Sequence, residues 1–397
     1  MLHKSLHSAT VCASSEIGND PAYGAVTPPL YLSSTYNFKA LDDMGPYDYG
    51  RSGNPNRDAL ATTLAKMESG AGAVITSSGM AAIDLALNLV PAGGLVIAPH
   101  DCYSGTHRLL LARQKQGRLK VEFVDQTNEV NIANRLTKSP ALVFIETPSN
   151  PLMRVADIKA ICQLAKKHGA LSVCDNTFLS PARQNPLTLG ADIVVHSSTK
   201  YINGHSDVVG GAVIAKSEEH IEALTWWANC TGVTGAPFDA FLTLRGLRTL
   251  HARLDIQENN ALIIAKFLDA HSAVSKVYYP GLKSAPGYEL ARCQQSGPGA
   301  MLSFELASGR AGAAAFLEGT SIFQLAESLG GTESLVCHPA SMTHRAMDEQ
   351  ARAAAGISEG LIRLSVGIEH IDDQLAELER LFAALGDASI KSANHDQ

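Results

Sequence analysis

From about residue 58 to 255 the chain alternates short apolar runs with helical stretches, and this alternation narrows its possible folds more than any other feature. The runs 94–98, 120–124, 141–145, 171–174, 193–195 and 211–215 are each of strand length, and most are followed at once by polar residues. Helical spacing occupies several of the gaps, as at 57–69, 79–89 and 158–168. Parallel strands need long crossovers, and helices between strands supply them. The expectation is therefore an α/β fold with a doubly wound, mainly parallel sheet and helices on both faces. Ligands of such sheets sit beyond the carboxyl ends of the strands, so the polar residues just after each apolar run are where chemistry is sought.

The flanking regions read differently. Residues 1–57 carry loop chemistry, including Thr27-Pro28-Pro29 and the run Tyr49-Gly50-Arg51-Ser52-Gly53-Asn54-Pro55. An arm of that length without a core of its own is expected to pack on something else, such as a neighbouring subunit. Residues 58–255 form the expected large domain. From 256 to 397 the pattern becomes α+β-like, with helices at 259–272 and 372–385, strand candidates at 274–279, 300–306 and 361–365, and a polar tail over 390–397 that is expected to fray.

Composition excludes several roles. A net charge of −7 gives no concentrated basic surface for nucleic acid. The seven cysteines are scattered, odd in number and without a C-x-x-C pair, so neither a disulfide framework nor a zinc cluster is expected; reduced thiols fit a cytoplasmic protein. Residues 1–15 lack the apolar core of a signal peptide. The most apolar stretch, 81–99, carries Asp84, Asn88 and two glycines and does not read as a bilayer span.

Five motifs carry candidate chemistry. His196-Ser197-Ser198-Thr199-Lys200-Tyr201 places a lysine just after hydroxyl residues that can hold a phosphate, the arrangement an imine-forming amine needs. A surface lysine after a strand would look the same. Val173-Cys174-Asp175-Asn176-Thr177-Phe178 offers a carboxylate 25 residues before Lys200, about one β-α-β unit away. Asp175 can pair with a protonated pyridine nitrogen or merely cap a helix. Thr76-Ser77-Ser78-Gly79-Met80 opens a helix whose free N–H groups suit a phosphate, although a plain capping segment fits as well. Tyr103 lies just past a strand and can stack on a flat ring, or be a half-buried loop residue. Arg363, inside the apolar run 361–365, needs an anion: a substrate carboxylate or an internal Asp or Glu. His196 and His205 fit core positions better than a metal site, since no further ligands complete one.

Taken together, these residues resemble the Cys/Met-metabolism (trans-sulfuration) family of pyridoxal 5′-phosphate (PLP) enzymes over most of the chain, from about Ser8 to Ala384. The resemblance rests on Tyr-x-Arg-Ser-Gly-Asn-Pro at 49–55, the 76–80 segment, Glu146-Thr147-Pro148-Ser149-Asn150-Pro151, the Asp175 and Lys200 motifs, Arg245-Gly246-Leu247-Arg248-Thr249-Leu250 and Leu325-Ala326-Glu327-Ser328-Leu329-Gly330-Gly331. It implies fold type I, like aspartate aminotransferase, with a seven-stranded sheet and a smaller C-terminal α/β domain. It also implies a homotetramer of active dimers acting on small amino-acid substrates.

By the same resemblance, Lys200 is the Schiff-base residue, Asp175 faces the pyridine nitrogen and Tyr103 stacks on the ring. Gly79, Met80, Ser197 and Thr199 hold the phosphate, and Thr177 lines the cofactor site. Tyr49 and Arg51 reach that phosphate from the adjacent subunit. Arg363, with Asn150 and Ser328, binds the substrate α-carboxylate, while Asp48 and Glu327 orient an incoming amino acid. Glu327 matches the members that act at Cγ; those acting at Cβ tend to carry an aromatic residue there. The expected reaction is γ-replacement on an O-acylhomoserine, with γ-elimination as the alternative. Ser52 departs from enterobacterial relatives, which carry an arginine there, and Arg108 remains as a contact for an acyl carboxylate.

Overall fold

Asn54 and Pro55 show how locally the sheet-building region is punctuated. Proline at the first helical position gives up an N–H that would be orphaned anyway. Asn54 Oδ1 accepts from the N–H groups of Asn56 and Arg57 at 2.9 and 3.3 Å, a cap worth about 1 kcal/mol. The helix they start, α2 (Pro55–Glu68), follows a short α1 (Ser8–Ser14) and an arm whose pairing is limited to isolated bridges such as Thr35 to Tyr49. These features come from a computed structural model that describes residues 6–20, 22–345 and 347–393.

The alternating region forms one seven-stranded sheet in the order β1-β7-β6-β5-β4-β2-β3. Its strands are β1 (Gly72–Thr76), β2 (Gly94–Pro99), β3 (Leu119–Val124), β4 (Leu142–Glu146), β5 (Leu171–Asp175), β6 (Ile193–His196) and β7 (Gly211–Ala215). Only β7 runs against its neighbours; the pairs among β2 to β6 are parallel. The fold class and the mainly parallel sheet are as expected. β1 was not anticipated: its five residues, Gly-Ala-Val-Ile-Thr, sit too close to the end of α2 to stand out as an apolar run.

Strands β4, β6 and β7 are buried along their whole length, as sheets covered on both faces require. Val143, Cys174, Val194 and Ile214 pack with Leu60 and Leu64 of α2 on one face. Phe144, Val173, Val195 and Val213 pack on the other with Ile83 and Leu85 of α3 (Gly79–Leu87) and Leu110 of α4 (Ser104–Lys115). Because β1, β2, β4, β5 and β6 point the same way, Thr76, Pro99, Glu146, Asp175 and His196 finish at one edge of the sheet.

A second sheet, ordered β10-β11-β12-β9-β8, lies beside that edge: β8 (Val274–Tyr278), β9 (Met301–Leu306), β10 (Gln324–Leu325), β11 (Leu335–Cys337) and β12 (Leu361–Ser365). The helix Leu250–Asp269 packs against β8 and β9. It begins well before the expected residue 259 because its buried face carries Arg253, Gln257 and Asn260, which hide an apolar period. The last helix, Ile371–Ala393, runs past the expected 385. Residues 394–397 of the tail lie outside the described residues. No helix among the described residues is long and apolar enough to cross a membrane.

Candidate active site

Between the two sheets lies a cavity of about 600 Å³, within the usual range for small-molecule sites. Gly79, Met80, Tyr103, Arg108, Asn150, Asp175, Thr177, Ser197, Thr199, Lys200, Glu327, Ser328 and Arg363 all line it. Residues spread over nearly 300 positions of sequence converge because strand ends converge.

At one end α3 begins. Ser78 caps it, Oγ accepting from Ala81 N at 3.1 Å, and no acidic residue occupies its first turn. The N–H groups there form an anion site. Glycine is required at 79: a Cβ would lie 2.6 Å from Ser197 Cβ, so only a bare backbone lets the loop after β6 close on the helix start. Ser197 N donates to Thr177 Oγ1 at 2.9 Å, and Thr199 Oγ1 and Gly210 bond through both backbone groups at 3.0–3.1 Å. These bonds fix the loop after β6 to Thr177 after β5 and to Gly210 before β7.

Asp175 and Glu146 form the floor. They are register partners on β5 and β4. Asp175 Oδ1 accepts from Thr177 N at 3.0 Å, and no helix starts until Ser180, so capping is not its function. Burial raises both carboxyls, and the charge of Asp175 pushes Glu146 further, well above the usual range. Two buried carboxylates side by side do not both ionise. The hydrogen bonds from Thr177 and the nearby His196 imidazole favour the charged form of Asp175, so Glu146 holds the proton. Glu146 in turn accepts from Tyr103 N at 2.8 Å and Asn150 N at 3.3 Å, tying the loop after β2 to the end of β4.

Lys200 reaches into the centre, with Nζ 2.7 Å from Ser328 Oγ. Burial lowers its pKa to about 8, and the neighbouring Arg363 cation lowers it too, against an opposing pull from Glu327. About a tenth is therefore free amine at pH 7, against roughly 0.03% for an ordinary lysine. Tyr103, 40% exposed, caps α4 and faces the same space. Its phenol is raised chiefly by burial and next by Glu327, so it carries its proton.

Arg363 sits mid-strand in β12 and is buried. It donates to Asn150 Oδ1 and to Ser328 O, both at 2.9 Å, while its Nε has no partner. No Asp or Glu pairs with it among the described residues, which removes the internal-partner alternative. His344 supports Asn150, its Nε2 lying 3.1 Å from the Asn150 carbonyl oxygen. The bonds Thr147–Pro148 and Asn150–Pro151 are both cis.

Tyr49, Arg51 and Asp48 are not brought to this cavity within the chain. Arg51 instead donates to the backbone oxygen of Asn229 at 2.7 Å, and Tyr49 is 47% exposed. Sequence reasoning gave no role to Glu146, although the motif that contains it was read. It also passed over Phe178, Met342, Thr343 and Arg345, which line the cavity. The last three sit in a loop with no periodic signal. His196 pairs with Glu68 at 2.7 Å rather than with a metal, and no metal-ligating cluster occurs among the described residues.

This fold and site belong to a known group: the family model "Cys/Met metabolism PLP-dependent enzyme" matches residues 9–383, and the chain is a member of that family. Among its relatives is the cystathionine γ-synthase of Escherichia coli K12, 53% identical over 377 residues, covering 95% of this chain and 98% of that one. The crystal structure of cystathionine γ-synthase from Xanthomonas oryzae pv. oryzae in complex with cystathionine superposes with a TM-score of 0.96 at 55% identity, covering 97% of this chain and 100% of that one. A cystathionine β-lyase of Lactococcus lactis subsp. cremoris is more distant, at 45% over 363 residues, 91% of this chain and 95% of the other.

PLP is the cofactor of this family, and the residues fit it. The α3 start with Ser197 and Thr199 suits a phosphate, the glycine at 79 lets Ser197 close on that helix start, and a buried carboxylate and a reactive amine stand at separate points of one cavity.

Proposed function

We propose that the chain joins an O-acyl-L-homoserine, by preference the O-succinyl ester, to L-cysteine, giving L-cystathionine and the free acid: the reaction of a cystathionine γ-synthase, in methionine biosynthesis in the cytoplasm. One observation carries the reading. A lysine amine lowered to about 8 and a buried arginine without a carboxylate partner open into one cavity. That is the equipment for holding an α-amino acid by its carboxylate while a base works at its carbons. The γ-synthases of Escherichia coli and Xanthomonas oryzae, at 53% and 55% identity, are more similar to this chain than the β-lyase at 45%.

Bound PLP supplies the electron sink for charge developing at Cα. Asp175 keeps that sink effective by staying ionised opposite the ring nitrogen, with Glu146 protonated beside it. Tyr103 covers the ring. Gly79, Met80, Ser197 and Thr199 hold the phosphate, and Thr177 fixes both Asp175 and Ser197. Arg363 and Asn150 take the α-carboxylate, with Ser328 fixing the arginine.

Lys200, released from the cofactor, takes the proton at Cα, returns it to the cofactor-bound substrate, and so is free to take a second at Cβ; its lowered pKa lets it act as a base each time. The acyloxy group leaves from Cγ, the cysteine sulfur adds there, and Lys200 and Tyr103 return protons. Glu327, with Asp48 of an adjacent subunit, orients the cysteine ammonium. Tyr49 and Arg51 reach the phosphate from that neighbour in a homotetramer of active dimers, which accounts for their distance from the cavity of their own chain.

Three incubations test the assignment: O-succinylhomoserine with cysteine, cystathionine alone, and O-succinylhomoserine with sulfide. Cystathionine and succinate in the first, with little 2-oxobutanoate from the second and little homocysteine from the third, is the expected result. Rapid breakdown of cystathionine to 2-oxobutanoate, with no synthesis, would make the enzyme a γ-lyase. Preference for sulfide would make it a sulfhydrylase.

A further inference from the structure

Glu68, the last residue of α2, is completely buried. Its Oε1 accepts from two side chains at once: Asn176 Nδ2 at 2.8 Å and His196 Nε2 at 2.7 Å. Asn176 is the residue after Asp175, and His196 is the residue before Ser197. One carboxylate oxygen therefore ties together the ends of β5 and β6. Asn176 is held again by Gln184, which exchanges hydrogen bonds with it at 2.7 and 3.0 Å.

The arrangement is expensive. Burying a carboxylate and an imidazole costs more than apolar packing would, and Glu68 Oε2 and His196 Nδ1 are left buried with no partner. A second polar tie joins the other ends of β5 and β6, where Ser172 and Asp192 exchange hydrogen bonds at 2.6–3.0 Å. The Glu68 tie differs from it in being fully buried and in sitting where the strands hand over to the site.

We propose that Glu68 is a positioning residue of the cofactor site: through Asn176 and His196 it sets the spacing between Asp175 and Ser197. The inference rests on the reading above, in which those two residues meet the ring nitrogen and the phosphate of one rigid molecule. Such a molecule is bound well only when both ends are at the right distance, and an error of about 1 Å costs orders of magnitude. Glu68 does not line the cavity. His196 carries a second consequence, because its ring favours the charged form of Asp175.

The test uses the full-length enzyme stripped of PLP and titrated back with it, following visible absorbance, alongside the melting temperature of each apoprotein. Glu68→Gln keeps the volume and removes the charge. Asn176→Ala cuts the tie on the β5 side and leaves the Glu68–His196 pair, so it serves if Glu68→Gln does not fold. Asp175→Asn reports on the underlying reading, and Leu378→Ala, a core truncation in the C-terminal helix, shows what destabilisation alone does. The expected result is a PLP dissociation constant raised about tenfold or more in Glu68→Gln and Asn176→Ala, with the absorbance maximum displaced, and little change in Leu378→Ala. If Asp175→Asn weakens PLP while Glu68→Gln and Asn176→Ala bind it as wild type does, the brace is structural only and the proposal fails. It fails also if Leu378→Ala weakens PLP as much for the same loss of melting temperature. If Asp175→Asn binds PLP normally, the reading of Asp175 falls first and takes the inference with it.

Discussion

Lys200 Nζ donates to Ser328 Oγ across 2.7 Å, and this contact joins the two sheets at the centre of the site. Lys200 follows β6 of the first sheet, whereas Ser328 lies between β10 and β11 of the second. The carbonyl of Ser328 also accepts from Arg363. Ser328 itself sits at φ 91°, in the region non-glycine residues rarely occupy. A base and a carboxylate-binding cation thus share one anchor, and moving the second sheet would move both.

That setting makes Lys200 a burden on the apoprotein. Its folded pKa, about 8, lies below the 10.5 of an unperturbed lysine. Between those values the unfolded chain holds a proton that the folded one lacks, so stability rises with pH through the window. Below pH 8 the folded state bears the full cost, and above 10.5 none of it. At about 1.4 kcal/mol per pH unit this amounts to roughly 3 kcal/mol. Lys200→Met, which keeps the length and drops the charge, should make the apoprotein more resistant to urea at pH 7 by up to that amount, with the gap closing by pH 10.5. The same variant should lose turnover and the visible absorbance of lysine-linked PLP. An apoprotein weakened at pH 7 by the substitution would contradict the burial argument.

The proton assigned to Glu146 has its own signature. If the residue is neutral, Glu146→Gln preserves both shape and charge state and loses one acceptor, a cost of about 1 kcal/mol. PLP affinity should stay within about threefold of wild type. Asp175→Asn, by contrast, should retain PLP weakly and slow the reaction severely, since the ring nitrogen then faces no charge. Equal damage from the two variants in a PLP titration would mean that the proton is shared rather than held by Glu146.

Lys200 and Asp175 were legible in the sequence because each lies directly after a strand, and strand ends are visible as breaks in apolar runs; the α3 start was legible instead from Ser77-Ser78-Gly79 opening a helical stretch. Arg363 was legible for the opposite reason: a cation inside such a run has to be answered by something. Its actual partners were not readable, since Asn150 is 213 residues away and Ser328 contributes a backbone oxygen. Glu68 escaped notice altogether. A glutamate at a helix end looks like solvated surface, and only the fold brings it to His196, 128 residues later. The second sheet was the least legible, because the two-residue β10 and three-residue β11 are too short to show a period.

His344 predicts an acid-sensitive site. Burial, and next the Arg363 cation, lower its pKa from 6.5 to about 3. The unfolded chain therefore takes up a proton between pH 6.5 and 3 that the folded chain refuses, and stability is lost as pH falls through that range; above 6.5 the residue contributes no pH dependence. From pH 7 to 4.5 this single histidine should account for about 2 to 3 kcal/mol. His344→Gln should cost about 1 kcal/mol at pH 7 through its altered bond to Asn150 and flatten the acid limb by the larger amount. Urea unfolding of both proteins at the two pH values measures the difference, and parallel losses would show that the acid sensitivity arises elsewhere.

For the proposed reaction, Arg108 and Arg345 are the groups expected to select the acyl group. Arg363 is committed to Asn150 and Ser328 and, in the proposed reaction, to the α-carboxylate. Arg108, from α4, and Arg345, from the loop after β11, line the same cavity, and neither side chain has a hydrogen bond or ion pair among the described residues. Two uncommitted guanidinium groups favour an ester with a second carboxylate over one without, and they compensate for the serine at position 52. Because both are exposed, each contact is worth about 1 kcal/mol, not the several of a buried pair. Arg108→Ala and Arg345→Ala should each lower kcat/KM for O-succinylhomoserine about five- to tenfold while changing that for O-acetylhomoserine less than twofold. The loss should shrink in high salt, where exposed charges are screened. A uniform fall for both esters would place these arginines in folding or cofactor binding instead of acyl selection.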